Sequence, residues 1–340
     1  MSQTSSARPM LLPLVPLYQL VLALRELRLR SGWEPLRHLR HPVVSIGNLS
    51  AGGAGKTPLT IALVRLLVAK GFRVDVLSRG YGRQSRLLAR VCPNGTAAEF
   101  GDEPLLIARQ AGVPVYVASQ RYDAGLLAEA DVLAQGAYDS PTIHLLDDGF
   151  QHRQLARDVD ILLLNLSDWR DGLLPAGNLR EPIRALHRTN VIAIPATESE
   201  LQSELRTWGW QGPIWRLHRR MDVPAIDGPV AAFCGIARPG QFFYGLESEG
   251  LRLAARIAFP DHHPYTSADL ERLLAAARKA GATSIVTTEK DYARLGNLAA
   301  VFPDSLPLLT AGLRIEIEEE PAAIDWLTAH LGRAPMRLPL

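Results

Sequence analysis

The segment GNLSAGGAGKTP, residues 47–58, constrains this chain more than any other. It follows a β-branched run, VVSI (43–46), and leads into the amphipathic stretch LTIALVRLLVAKG, so the order is strand, glycine-rich loop, helix. Successive backbone N–H groups in such a loop, with the positive end of a helix behind them, form a cavity for the β-phosphate of a nucleotide. Side chains at Gly52, Gly53 and Gly55 would obstruct its approach, and the run through Asn48, Ser50, Ala54 and Pro58 completes the candidate cradle. Lys56 is placed to reach the β/γ oxygens and Thr57 to ligate Mg²⁺ through its hydroxyl. Ser50 stands where the usual pattern has its first glycine; Gly47 and the Gly52–Gly53 pair partly restore the flexibility.

A magnesium-binding partner belongs at the end of a neighbouring hydrophobic strand, and TIHLLDD (142–148) supplies one. The carboxyl ends of strands in doubly wound sheets face the ligand, so Asp147 or Asp148 emerges beside the loop, near the metal directly or through water. Two aspartates before Gly149 are also good turn chemistry, and His144 within the strand reads as a core residue rather than a ligand. No guanine-specifying [NT]-K-x-D run is present; TTEKD (287–291) departs from it, so GTP specificity is unsupported.

Composition narrows the class. With 340 residues, 47% of them hydrophobic, the chain has material for about two domains and is too apolar for disorder. A net charge of +2 excludes a general polyanion binder, and no nucleic-acid partner is expected. Cys92 and Cys234 lie far apart without paired-ligand spacing, which argues against a disulfide framework or a zinc or iron–sulfur centre and suits a reducing compartment. The first forty residues differ from the rest. Met10–Leu24 is apolar apart from Gln19 and is followed by Arg25, Arg28 and Arg30. It is too short for a bilayer span, which needs about 20 apolar residues, and Pro13 and Pro16 interrupt it. Its charge follows the apolar run, unlike that of a secretory leader. Residues 1–40 carry +4 and the remainder −2, which predicts an amphipathic helix in the headgroup plane of an acidic leaflet; the alternative is a helix packed on its own domain.

Other clusters lie on predicted loops. SRGYGR (78–83) puts Arg79, Tyr81 and Arg83 near where a second substrate approaches. FGDEPLLIARQAG starts a helix with Asp102 and Glu103; Asp102 is an N-cap candidate, or a carboxylate able to accept a proton from an attacking hydroxyl. DGFQHRQLARDVDILLLN (148–165), LLPAGNLREP (173–182) and FPDHHPYT (259–266) concentrate His, Arg and carboxylate residues, including Gln151, His152, Arg180, Glu181, His262 and His263. Asp158 and Asp160 read equally as turn and strand-start residues, Arg180–Glu181 as a local ion pair, and 261–263 as a capping turn or metal pair. No third zinc ligand stands at conventional spacing.

With GNLSAGGAGKTP, SRGYGR, GDE, DDGFQHR, LPAGNLREP, FPDHH and TTEKD in this order, the chain resembles the tetraacyldisaccharide 4′-kinases, the lipid A 4′-kinases of Gram-negative bacteria. The resemblance implies transfer of the γ-phosphate of ATP, with Mg²⁺, to the 4′-hydroxyl of a tetraacylated glucosamine disaccharide 1-phosphate, giving lipid IVA. It also implies a peripheral enzyme on the cytoplasmic face of the inner membrane. Residue by residue it makes Lys56 the phosphate-loop lysine, Thr57, Asp147 and Asp148 the magnesium-associated group, and Asp102 the base, oriented by His262. It associates Arg180 and Glu181 with the nucleotide site, and leaves Arg79, Tyr81, Arg83, Arg121, Gln151 and His152 for the acceptor. The rival reading is a membrane-cycling ATPase switch without a small-molecule acceptor.

Apolar runs at 43–46, 73–78, 115–117, 142–147, 159–164 and 191–194, alternating with helical stretches near 56–70, 102–111 and 121–135, predict an α/β fold of the P-loop type: a mostly parallel sheet with helices on both faces. The expected division is an N-terminal segment 1–40, a nucleotide-binding domain 41–213, a connector 214–229 and a smaller α/β domain 230–340.

Overall fold

The computed structural model describes residues 8–52, 55–136 and 140–332. Its first helical stretch runs from a 3₁₀ turn at Pro9–Leu14 into α1 (Val15–Arg30). Then come β1 (Val43–Asn48), α2 (Lys56–Ala69), β2 (Arg73–Ser78), β3 (Ala89–Arg90), α3 (Ala97–Phe100), α4 (Asp102–Ala111), β4 (Val115–Val117), α5 (Arg121–Ala134) and β5 (Thr142–Asp147). The chain continues through β6 (Val159–Leu163), α6 (Leu166–Trp169), β7 (Val191–Pro195), α7 (Ser199–Trp208) and β8 (Ile214–Asp222). A second lobe holds β9 (Val230–Cys234), α8 (Pro239–Ser248), β10 (Leu253–Ala258), α9 (Ser267–Lys279), β11 (Ser284–Thr288), α10 (Glu289–Leu295), β12 (Leu308–Ile317) and the chain then enters α11 (Glu320–Leu331).

All strands form one sheet in the order β10-β9-β11-β12-β8-β7-β6-β1-β5-β2-β4-β3. β1 and β5 are buried along their whole length and lie at the middle of the first lobe, whereas β10 alternates between half-buried and exposed at the edge. Parallel pairing holds from β4 to β8 and again from β10 to β12; β8 and β12 meet antiparallel. Each long strand has two halves: Ile214–Leu217 pairs with β7 and Leu217–Asp222 with β12, while Leu308–Ala311 pairs with β11 and Gly312–Ile317 with β8. β8 therefore runs out of the first lobe as β12 runs out of the second, and the carboxyl ends of both parallel blocks point at each other. Ligands bind at such ends.

Two expectations change here. Residues 214–222, placed in a connector, are strand β8, and the ten-residue β12 was not anticipated. α11, expected in the smaller domain, packs Ile324, Leu327 and Leu331 into the same core as Val44, Leu63 and Ile161 of the first lobe. The second lobe has its own cores on the two faces of β9 and β11, around Phe233, Leu270 and Ile285 and around Ala232, Phe242 and Val286.

The N-terminal helical stretch, Pro9–Arg30, is 22 residues long, longer than the apolar run suggests, and is long and apolar enough to cross a bilayer. None of its residues is buried. One face touches the first lobe through polar groups: Tyr18 donates to Arg180 O at 2.8 Å, Arg25 to Gln151 O, and Glu26 pairs with Arg153. The opposite stripe of Leu17, Leu20, Val21, Leu24 and Leu27 is exposed.

Candidate active site

The phosphate loop joins β1 to α2. Gly55, at φ +91°, precedes α2 in a left-handed conformation and no side chain caps the helix, which leaves the first-turn N–H groups for an anion. Gly53 and Ala54 lie outside the described residues. Gly47 has a packing role rather than the flexible one expected: a Cβ there would fall 2.5 Å from Phe150 Cβ and 2.9 Å from its backbone nitrogen. Asn48 ties the loop together. Its Nδ2 donates to Ser50 O and Oγ, both at 3.0 Å, and its Oδ1 accepts from Lys56 Nζ at 3.0 Å and Arg180 Nη2 at 2.7 Å.

Asp147 and Asp148 end β5 beside this cluster in unequal settings. Asp148 lies 3.4 Å from Lys56 and 3.1 Å from Arg180; burial opposes its charge, but Lys56 and then Arg180 outweigh that and pull its carboxyl down to about 2. Asp147 accepts from Thr60 at 3.0 Å. Burial, then the nearby Glu103 and Asp148, push its carboxyl up. A buried, under-compensated carboxylate whose partner Thr60 lies one turn beyond Thr57 on α2 fits a divalent cation. No group of three or more His, Cys, Asp or Glu among the described residues could hold a metal alone. Phosphate oxygens and water would complete its shell, the habit of Mg²⁺.

Asp102 is not an N-cap. Gly101 holds that position and Asp102 opens α4, only 3% exposed, with its Oδ2 accepting from Arg294 Nε at 2.9 Å and Nη2 at 2.5 Å. His262, from the loop after β10, brings Nδ1 to 3.2 Å from the same oxygen. Burial opposes the Asp102 charge, yet the hydrogen bond with His262, then Arg294 and Lys290, hold its carboxyl far below the usual range. The hydrogen bond to Asp102 in turn raises His262 against its burial. His263 instead contacts Asp269 at 3.1 Å and stacks on Phe259. Asp148 (φ +50°) and His262 (φ +58°) are the non-glycine residues with positive φ among those described. Such backbones cost on the order of 1–3 kcal/mol and tend to persist where function requires them.

The expected acceptor residues gather partly. Tyr81 packs edge-on against His262, 5.2 Å between ring centroids. Arg121 is 8% exposed with Nε unpartnered; burial, then Arg79, lower it to about 10. His152 Nε2 is also unpartnered, and burial with Arg121, Arg157, Arg25 and Arg79 lowers this histidine to about 3. Gln151 donates to Asn48 O at 2.9 Å and so buttresses the phosphate loop. Three expected residues face elsewhere. Arg83 is spent inside its own loop, donating to Leu87 O at 2.7 Å. Glu181 pairs at 2.5 Å with Arg188, not with Arg180 or the loop. The Pro58 ring lines a separate cavity of about 350 Å³ between α2 and β12. Asp160 pairs with Arg157, Asp158 accepts from Val43 N, and His144 sits fully buried against Asp75, so these act in the scaffold.

Residues without a sequence signal join the loop from the other side. Arg219 of β8 comes within 3.1 Å of where a Gly55 Cβ would stand. Arg238, after β9, lies 3.5 Å from the buried Asp168. Their contacts depend on the β8–β12 crossing, which no local pattern announces.

The family model for tetraacyldisaccharide-1-phosphate 4′-kinases matches residues 7–332. The chain belongs to this family. A tetraacyldisaccharide 4′-kinase of Koribacter versatilis is 41% identical over 300 residues, covering 85% of this chain and 88% of the relative. One of Geobacter metallireducens is 39% identical over 305 residues, covering 82% and 86%. The crystal structure of the Aquifex aeolicus kinase of this family in complex with ATP superposes with a TM-score of 0.73 at 30% identity, covering 95% of this chain and 99% of that one. The tetraacyldisaccharide-1-phosphate 4′-kinase fold thus extends over both lobes.

Proposed function

We propose that the cleft between the lobes transfers the γ-phosphate of ATP to the 4′-hydroxyl of a tetraacylated glucosamine disaccharide 1-phosphate, forming lipid IVA. This is the activity of the family to which the chain belongs. The membrane-cycling switch, which has no acceptor, is not favoured. One observation carries the residue-level reading: a carboxylate–imidazole pair closes between the lobes at 3.2 Å, next to Glu103, whose charge is felt by Asp147 at the phosphate site.

The nucleotide's phosphates lie on the loop and the α2 N-terminus, and Lys56 turns from Asn48 and Asp148 toward the β/γ oxygens. Arg180, held by Asn48 and Asp148, adds a fixed positive charge beside them. Thr57 and Asp147 or Asp148 would hold Mg²⁺, which would supply charge neutralisation on the transferred group. Asp102 was the expected base, but its carboxylate is buried and committed to Arg294. The geometry favours exchanged roles: Asp102 fixes the Nδ1 proton of His262, and the Nε2 side, on a ring 35% exposed, accepts the proton of the 4′-hydroxyl. Tyr81 steadies that ring. Arg79 and Arg121, beside a His152 kept neutral by burial and by these arginines, form an electropositive wall suited to the acceptor's phosphate and sugar.

α1 serves as the membrane contact. Tyr18, Arg25 and Glu26 are taken up by the first lobe while the leucine stripe stays uncovered, and Arg28 and Arg30 in the last turn suit anionic headgroups. This supports a peripheral position on the inner membrane's cytoplasmic leaflet, where the acceptor's acyl chains stay. Labelled ATP and glycolipid in mixed micelles provide the test. Acceptor-dependent label transfer is expected; release of free phosphate at full rate without any labelled lipid rejects the kinase assignment.

A further inference from the structure

The TTEKD segment takes no part in phosphoryl transfer as described, yet it is tightly built. Thr288 caps α10 by accepting from Asp291 N at 3.0 Å. Asp291 is fully buried and accepts from Gly235 N at 3.0 Å, Tyr265 OH at 2.9 Å, Thr288 OH at 2.6 Å and Arg294 Nη1 at 2.9 Å. Arg294 is thereby set one turn later. Its Nη1 also donates to Gly235 O at 2.6 Å, its Nε and Nη2 grip Asp102 across the lobe boundary, and Nη2 stands 3.4 Å from His262 Nδ1. Lys290 pairs with Glu103 alongside. The second lobe thus reaches α4 through two cross-lobe ion pairs, and the guanidinium is shared among Asp102, Gly235 O and Asp291 beside His262.

We propose that Arg294 is a positioning residue for proton transfer: braced by Asp291, it holds the Asp102 carboxylate in place for His262 and sets how basic that imidazole is. The proposal rests on the reading of His262 as proton acceptor. Asp102 stabilises the imidazolium, and Arg294, close to Nδ1, opposes it. The groups facing the pair are Arg294 and Lys290 from α10, Glu103 beside Asp102 on α4, Asp261 at 3.9 Å from His262 Nε2, and the Tyr81 ring. Arg294 contributes a counter-charge and a two-pronged grip that a lysine supplies only in part.

The full chain in detergent micelles, with histidine-selective isotope labelling, allows the test. The His262 ring proton is assigned by its loss in His262→Gln and titrated in wild type, Arg294→Gln and Arg294→Lys. In Arg294→Gln the imidazole midpoint and the acidic limb of kcat should both move upward by about half a pH unit or more, with kcat down about tenfold or more and KM for Mg·ATP within about twofold. Arg294→Lys keeps the charge and should leave the midpoint near wild type while kcat still falls. A folded Arg294→Gln whose His262 midpoint is unmoved overturns the proposal. Should that variant fail to fold, Arg294→Lys with wild-type kcat does the same. Wild-type protein without acceptor-dependent phosphorylation sinks the functional reading instead, and the titration arm still tests the clamp.

Discussion

The phosphate loop and the Asp102–His262 pair are built in opposite ways. Lys56, Asn48, Asp148 and Arg180 all come from one lobe and meet at the ends of neighbouring strands. Asp102 belongs to the first lobe, whereas His262 and Arg294, the latter 192 residues away in sequence, belong to the second. On the proposed reading the first lobe supplies most of the phosphate site, joined by Arg219 and Arg238, and proton transfer belongs to the contact between the lobes. On the same reading, bound ATP meets a proton acceptor only where the second lobe contacts the first.

Substitutions can break this division. Lys56→Ala removes the charge that follows the transferred group, and kcat should fall about 10²- to 10³-fold in a label-transfer assay. His262→Gln should lower kcat about 10²-fold with KM for Mg·ATP nearly unchanged. If His262→Gln weakens ATP as much as it slows turnover, the phosphate site is not independent of the second lobe. Deleting residues through Arg30 should reduce rates on vesicle-borne acceptor by about tenfold. An equal loss on a short-chain, micellar acceptor would show that α1 matters for folding rather than for membrane contact. His144→Asn should leave neutral-pH kcat unchanged and alter stability alone. Burial disfavours the charged form of His144, but Asp75 raises it to about 9, above its unfolded value. That stabilisation is complete below about pH 6.5 and is lost as pH rises through about 9, by about 3 kcal/mol at most. Urea unfolding at both ends of this window checks it, and an equally steep pH dependence in His144→Asn removes the assignment.

The part of the site made by adjacent residues was legible. The glycine loop, Lys56, the β5 aspartates and the central strands each carry a local pattern, and the described structure agrees with the strand and helix positions read for the first lobe. Whatever depends on long-range crossing was not. β8 reads IWRLHRRMD, too charged to pass for a sheet strand, because its outer half is a two-stranded ribbon with exposed faces. β12 carries the alternation Leu313-Arg-Ile-Glu-Ile317, but nothing local in it announces the pairing with β8. Asp102 reads in the sequence as a cap or as a proton-accepting carboxylate; the grip on it by Arg294 from the other lobe has no local signal. Arg83 and Glu181 sit in motif segments yet face neighbours of their own. A motif locates a loop, and the direction of each side chain within it is decided by packing.

Both sheet crossings between the lobes run side by side in the β8–β12 ribbon. The molecule therefore has a single spine, like a bound book, and away from it the two covers are clasped by side chains alone, Asp102 with Arg294 and Glu103 with Lys290.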